Sequence, residues 1–261
     1  MAALPGILRQ WNPGIAPGLS LWIDGSDSKT LTVSNLSNIT AISDKSGLNT
    51  LLVQDTLSNQ PVVTSNINRL QTIGFSGHNY VSTTTSYFPS LFNNTNAISQ
   101  FTIFNSRSNN ISQGFTSITD SNFTTTNNTF SFGTTANNFR VFRNNNGPQL
   151  AAPLVLSNNI FIEGFLQSET VIISIINNGS NSQNTNQTGT LTNLTQFNIG
   201  RRPGTGAQVF YGDIGEILLY NSNVYTSNTA FHPQIEGYLA WKWGLRSLLE
   251  STHPYKNRYP S

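Results

Sequence analysis

The chain has 261 residues, of which only 9% are Asp, Glu, Lys or Arg, with a net charge of +2 and no cysteine. Disulfides and thiolate metal sites are thereby excluded, and the scattered Lys and Arg form no basic run from which nucleic acid could be held by counterion release. No stretch approaches the roughly eighteen apolar residues of a membrane-spanning helix.

Solubility must therefore come from neutral polar side chains, and 35 Asn, 30 Ser and 30 Thr supply it. These residues hydrogen-bond nearby backbone, which favours turns and exposed strand positions over helix interiors. A long-loop, all-β protein is expected. Hydrophobic residues make up 36% of the chain, and its 20 Gly bring it close to the usual share of apolar residues and glycine. One core is within reach, and no charged or low-complexity linker divides the chain.

Residues 1–18 read as an arm, because Pro5, Gly6, Pro13, Gly14, Pro17 and Gly18 oppose regular structure. Its apolar Leu4, Ile7, Leu8 and Trp11 either fold back on the chain's own body or form a partner-docking arm on a neighbouring protein. The same segment lacks the continuous apolar run of a signal peptide, so synthesis in the cytosol is expected.

Residues 19–261 read as a single domain in which β-branched and aromatic runs alternate with turn clusters, as in an antiparallel β-sandwich. The expected strands are Leu19–Asp24, Leu70–Phe75, Phe101–Asn105, Thr129–Gly133, Asn138–Arg143, Ile160–Leu166, Val171–Ile176, Phe197–Gly200 and Ile214–Tyr220. Phe139, Val141 and Phe142 do not alternate strictly, which points to a bulge. Asn177–Gly189 carries no apolar or charged side chain and reads as a long exposed hairpin loop. A short helix opens near Pro233, places Ile235, Leu239 and Trp243 on one stripe, and stops at Gly244. Its Trp241 and Trp243 either plug one end of the sandwich or anchor a partner.

The ending, GDIGEILLYN followed by EGYLAWKWGL and an HPY-containing tail, carries a resemblance together with the opening LWIDGSDSKTLTV and SDKSG. Between them lie QPVV at Gln60–Val63, IGFSGHNYV at Ile73–Val81 and FNIGRRPG at Phe197–Gly204. In this order the segments resemble the laminin-G-like, concanavalin A-like β-sandwich domains of phage and large DNA virus virion proteins. The resemblance spans Leu19 to Tyr259 with a divergent middle, and the tryptophan usual before the DKSG turn is replaced, Ile42 being the nearest apolar residue. It implies a jelly roll of two antiparallel sheets with a short C-terminal helix.

Sandwiches of this class include glucanases, which need two carboxylates about 5 to 5.5 Å apart, or wider for inversion. Asp213 and Glu216, three apart on a regular strand, would point to opposite faces. Glu163 and Glu169 are divided by a strand end, and His78, His232 and His253 have no identifiable triad partner. No catalytic residues are assigned. Asp24, Asp27 and Asp44 are hard oxygen donors of the kind calcium takes, or else carboxylates that staple turns; no other cofactor is expected. For sugar recognition the loops offer Asn79 with Tyr80, Tyr87 with Phe88, and Arg201 with Arg202, which pair planar hydrogen-bonding groups with aromatic faces.

The function expected is non-enzymatic: a virion structural or surface protein, part of a capsid decoration, fibre or spike. Its partners would be other virion proteins in a multi-copy assembly and host glycans, with no nucleic acid and no membrane span. A stand-alone carbohydrate-binding module and a glycan hydrolase are the alternatives.

Overall fold

In the computed structural model the described residues are 10–34, 37–83, 97–108, 113–119, 130–135, 138–143, 148–153, 159–168, 172–176, 180–184, 194–202, 208–225 and 231–261. Leu4, Ile7, Leu8 and Tyr87 lie outside them. The strands are β1 (Leu19–Asp24), β2 (Leu31–Val33), β3 (Ile39–Ser43), β4 (Leu51–Val53), β5 (Val62–Ile67), β6 (Leu70–Ser76), β7 (Val81–Thr83), β8 (Ala97–Ser106), β9 (Gln113–Thr119) and β10 (Phe130–Thr135). They continue with β11 (Asn138–Arg143), β12 (Pro148–Pro153), β13 (Asn159–Ser168), β14 (Ile172–Ile176), β15 (Ser180–Asn184), β16 (Gln196–Ile199), β17 (Arg201–Arg202), β18 (Gln208–Val209) and β19 (Tyr211–Tyr220), followed by α1 (Phe231–Lys242).

Among the described residues these form two large antiparallel sheets, with β17 and β18 as a separate two-stranded ribbon. The first runs β15-β14-β13-β8-β19-β6-β5 with β1 also on β19, and the second runs β12-β11-β10-β9-β16-β7-β4-β3-β2. Their facing side chains make one core, with Ile73, Phe75, Phe104, Ile214 and Ile217 from the first sheet against Ile42, Leu52, Phe115, Phe197 and Ile199 from the second. Each such side chain withdrawn from water contributes about 1.5–3 kcal/mol. Ile42 is among the fully buried members, so the position near the missing tryptophan is filled by a smaller apolar group. The all-β sandwich expected from composition and spacing is the fold observed.

Several details differ from the sequence expectation. The tract 177–189 contains strand β15, which pairs with β14 from Ile172↔Asn184 to Ile176↔Ser180; backbone pairing needs no apolar side chain, so composition hid it. The irregularity in β11 falls between Val141 and Phe142, where the register with β12 shifts. The helix begins at Phe231, two residues before Pro233, which occupies the first turn where a missing N–H costs no helical bond. It ends as expected: Gly244 takes φ +67 and the Leu245 N–H reaches the Ala240 carbonyl at 2.7 Å, a Schellman closure.

The helix is not an end plug. Ile235, Leu239 and Trp243 pack with Phe101, Ile103, Leu218 and Tyr220, residues that alternate along β8 and β19 with those of the inter-sheet core. The helix thus covers the outer face of the first sheet. Trp11 joins this second core at 2% exposure, 5.9 Å from the Tyr238 ring, and its carbonyl accepts from the Tyr259 hydroxyl at 3.3 Å. Trp11 is therefore not a free docking group: it is folded against the protein's own helix.

Candidate functional site

Outer-face residues of β4, β7 and β16 enclose a cleft of about 290 Å³, lined among others by Gln54, Asp55, Tyr80, Ser82, Gln196 and Arg201. Alternation places them there: Leu52, Val81, Phe197 and Ile199 face the core, so Val53, Ser82, Gln196 and Asn198 face outward. Gly200 then turns the chain. It has φ +89, and a Cβ there would lie 2.4 Å from the Phe75 ring, so only glycine suits the position. Its N–H donates to the Phe115 carbonyl and its carbonyl accepts from the Phe210 N–H, both at 2.8 Å.

The turn brings the Arg201 guanidinium over Tyr80, 3.4 Å from the ring centroid. Nε and an outer nitrogen of Arg201 each stand 3.4 Å from Asn198 Oδ1, which also accepts from Ser82 Oγ at 2.7 Å. Burial pushes the guanidinium below its ordinary pKa while Tyr80 pulls the other way, and Arg201 stays a cation. Gln54 donates to the Tyr80 carbonyl at 3.0 Å and Gln196 to the Thr83 carbonyl at 3.2 Å. Gln196 Oε1 and Asn198 Nδ2 are buried without a hydrogen-bond partner. Gln196 lines the cleft and Asn198 is fully buried outside its lining; polar side chains thus back a fixed cation and an aromatic ring, an arrangement suited to a hydroxylated ring.

Of the residues proposed from sequence, the structure brings Tyr80 and Arg201 together. Asn79 is corrected: its Oδ1 accepts from the Ser76 N–H at 2.8 Å and from the Ser76 hydroxyl, and its Nδ2 donates to the Gln60 carbonyl at 2.7 Å. It is buried and staples a turn through both its oxygen and its nitrogen. Arg202, half-buried, lies against Gly114 and pairs with Gln208 in the β17–β18 ribbon, away from the cleft. Gln54, Ser82 and Gln196 were missed; for Ser82 and Gln196 the signal was a polar position alternating with a core position on a short strand, while Gln54 follows the end of β4 and gave none.

The remaining carboxylates serve the helix face. Lys45 and Lys242 both reach the same oxygen of Asp24, each at 2.7 Å; Lys45 also meets Asp27 at 2.9 Å, and Lys242 meets Glu216 at 2.8 Å. Burial opposes ionisation of Asp24, but Lys242, Lys45 and Ser26 outweigh it and hold its pKa below the ordinary value. Asp27 also accepts from the Lys29 N–H, and Asp44 accepts from the Trp22 and Ser46 N–H groups. The three calcium candidates thus have lysine or backbone partners. Among the described residues no group of three or more His, Asp or Glu is placed to hold a metal.

Asp213 and Glu216 also require correction. The register of β19 with β8 shifts between Ile214 and Glu216, and Ile214 and Ile217 both face the core. Asp213 and Glu216 therefore share the outer face instead of opposing ones. They are not strand-boundary residues but lie inside β19, fully buried. Thr64 and Asn66 each donate to Asp213 at 2.9 Å. Glu216 accepts from the Trp22 and Trp243 indoles at 2.7 Å and from the Tyr238 hydroxyl at 3.0 Å. Burial pushes the Glu216 carboxyl up, against the pull of Lys242.

This cluster explains the ordered sequence segments physically. Trp22 and Asp24 come from LWIDGSD, Lys45 from SDKSG, Glu216 from GDIGEI, and Tyr238, Lys242 and Trp243 from EGYLAWKWGL. His253 of the HPY tail stands 3.3 Å from Glu236 of the same helix. The segments lie far apart in the chain and converge on one face.

No family model matches the chain, and no curated protein matches it in sequence. Solved structures do share its fold. Domain 4 of AbnA, an extracellular GH43 arabinanase from Geobacillus stearothermophilus solved with arabinotriose, is similar at TM-score 0.54 and 11% identity, over 78% of this chain and 92% of that one. Botulinum neurotoxin type C, whose cell entry depends on two ganglioside molecules, is similar at TM-score 0.56 and 13% identity, over 82% and 51%. Trypanosoma rangeli sialidase is similar at TM-score 0.54 and 11% identity, over 80% and 31%. The chain thus spans nearly all of the arabinanase domain, about half of the neurotoxin chain and about a third of the sialidase. At these identities the likeness establishes the β-sandwich fold.

Proposed function

We propose that this chain is a non-enzymatic glycan-binding β-sandwich displayed on a virus particle, with the Tyr80–Arg201 cleft as its sugar site. The observation that carries the reading is the Arg201 guanidinium stacked 3.4 Å over Tyr80, beside the Gln196 amide. Ring hydroxyls would take hydrogen bonds from the guanidinium and the amide, as fixed polar groups in a small concave site do. Neighbours of the same fold include an arabinanase domain solved with an arabinose trimer and a neurotoxin whose entry depends on gangliosides, which supports the ligand class.

Non-enzymatic action is favoured because Asp213 and Glu216 are fully buried: Thr64 and Asn66 hold Asp213 Oδ1, Arg107 stands 3.3 Å from its Oδ2, and Lys242 with three ring donors holds Glu216. The virion setting is favoured by the ordered resemblance of the LWIDGSD, SDKSG, GDIGEI and EGYLAWKWGL segments. A charge-poor surface suits such a setting, since neutral hydrogen bonds change little with salt.

The test is a glycan array probed with the full chain and with Arg201→Ala. Binding of a defined glycan that Arg201→Ala loses supports the reading; an array blank for both proteins overturns it. Mass spectrometry of purified particles then asks whether the chain is a particle component, and its absence from them removes the virion setting.

A further inference from the structure

A second, larger cleft lies on the opposite side of the molecule, where the sequence offered no sugar-binding candidate. It measures about 580 Å³ and lies between the chain segment at Gln10–Asn12, strand β1 and helix α1. Its aromatic walls are Trp11, Trp22, Tyr238, Trp241 and Tyr259, and its polar lining is Gln10, Asn12, Asp24, Lys45 and Lys242. The volume falls within the about 300–1,000 Å³ of ordinary ligand sites.

The lining chemistry narrows the ligand. Both lysines converge on one Asp24 oxygen, and their other partners are Asp27 and Glu216. Two cations face three carboxyl groups, so the cleft has no net positive charge with which to attract a phosphate or an acidic sugar. Lys45, whose side chain is partly exposed, has three N–H donors and two carboxylate partners, which leaves it one donor, whereas the Lys242 nitrogen is buried. The Trp11 indole N–H is buried without a hydrogen-bond partner, although Trp11 lines the cleft. Asn12 and Gln10 add amide groups at the rim.

We infer that the Trp11–Trp22–Trp241 cleft is a second carbohydrate site, one that takes a neutral oligosaccharide. Sugar ring C–H faces pack on the aromatic walls, and hydroxyls accept from Lys45 while donating to Asp24. The ligand class rests on the carbohydrate-binding reading above, whereas the cleft itself is independent of the Tyr80–Arg201 site.

Tryptophan fluorescence separates the two sites. The chain has four tryptophans; three of them line this cleft, and none lines the Tyr80–Arg201 cleft. The full chain is titrated with maltotriose, cellotriose and arabinotriose, with 3′-sialyllactose as the acidic comparison, by fluorescence and by calorimetry. The expected result is a saturable fluorescence change with a neutral trisaccharide, retained in Arg201→Ala and weakened about tenfold in Trp241→Ala. Gln10→Ala, at an exposed position that leaves the fold intact, is expected to weaken it several-fold.

Calorimetric binding that Arg201→Ala abolishes, with fluorescence silent throughout, overturns the second site and leaves the first. A fluorescence response insensitive to Trp241→Ala and Gln10→Ala, or one given only by 3′-sialyllactose, also overturns it. A fluorescence response with the Arg201→Ala calorimetry unchanged from the parent supports the second site and assigns all binding of these sugars to it.

Discussion

The Trp243 indole N–H donates to Glu216 Oε2 at 2.7 Å, in a place where neither side chain has any exposure to solvent. A ring from the last helix is thus fastened to a carboxylate on a central strand. The strand can receive it because Gly215, at the bulge, has no side chain: a Cβ there would lie 2.8 Å from the Trp243 ring.

Glu216→Gln is expected to lower stability by about 3 kcal/mol, because a neutral amide weakens the charge-assisted bonds from Trp22, Tyr238 and Trp243 and turns an NH2 toward buried donors. Urea unfolding measures it. Trp243→Phe, which keeps most of the packing and removes one hydrogen bond to a charged group, is expected to cost about 1.5–3 kcal/mol. A loss below about 1 kcal/mol for both would mean the Glu216 network does not hold the helix.

Acid should unfold the protein through Asp24. Its pKa is held below the ordinary 3.8 in the folded state, so the folded protein binds fewer protons than the unfolded chain near that value. The stabilisation is present above pH 3.8 and is lost as pH falls through the lower, folded value. Glu236, held below 4.5 by His232 and His253 against the effect of burial, acts in the same direction. Glu216, pushed above 4.5 by burial, acts oppositely: its contribution is present below 4.5 and fades as pH rises through its folded value. Urea midpoints measured from pH 3 to pH 7 should show an acid limb that flattens in Asp24→Asn.

Gly200→Ala is expected to cost at least about 2 kcal/mol, combining a left-handed backbone at φ +89 with a Cβ 2.4 Å from the Phe75 ring. Because Gly200 aims Arg201, the variant should also weaken sugar binding. Unchanged binding in a folded Gly200→Ala protein would separate the turn from the site.

Excess EDTA is expected to leave the melting temperature unchanged, since Asp24, Asp27 and Asp44 have lysine and backbone partners in place of a metal. A drop reversed by calcium would show that these carboxylates serve a cation after all.

Much of this fold could be read from the chain. Leu19–Asp24 and Asn138–Arg143 match their strands end to end, and the helix stop at Gly244 follows from its left-handed glycine. What escaped has a common cause. Strand β9, QGFTSIT, is buried along its whole length, yet it carries Gln113, Thr116, Ser117 and Thr119 inside, where apolar periodicity gives no signal. Thr116 is satisfied across the sandwich by Gln100, at 3.0 Å, a pairing visible only in three dimensions. The bulge at Gly215 likewise moved Asp213 and Glu216 onto one face, which no strict alternation predicts. At the site, Tyr80 and Arg201 were legible as aromatic and cation, but 121 residues separate them in sequence, and only the β7–β16 pairing brings Ser82 opposite Asn198.

Sugar is proposed to sit against Arg201 and Tyr80. Side-chain NMR of the labelled chain, titrated with the strongest glycan from the array, tests it most directly. Saturable shifts of the Arg201 Nε–H and the Asn198 Nδ2 amide signals are expected, abolished in Tyr80→Ala. A titration that saturates while those two signals stay fixed would contradict it.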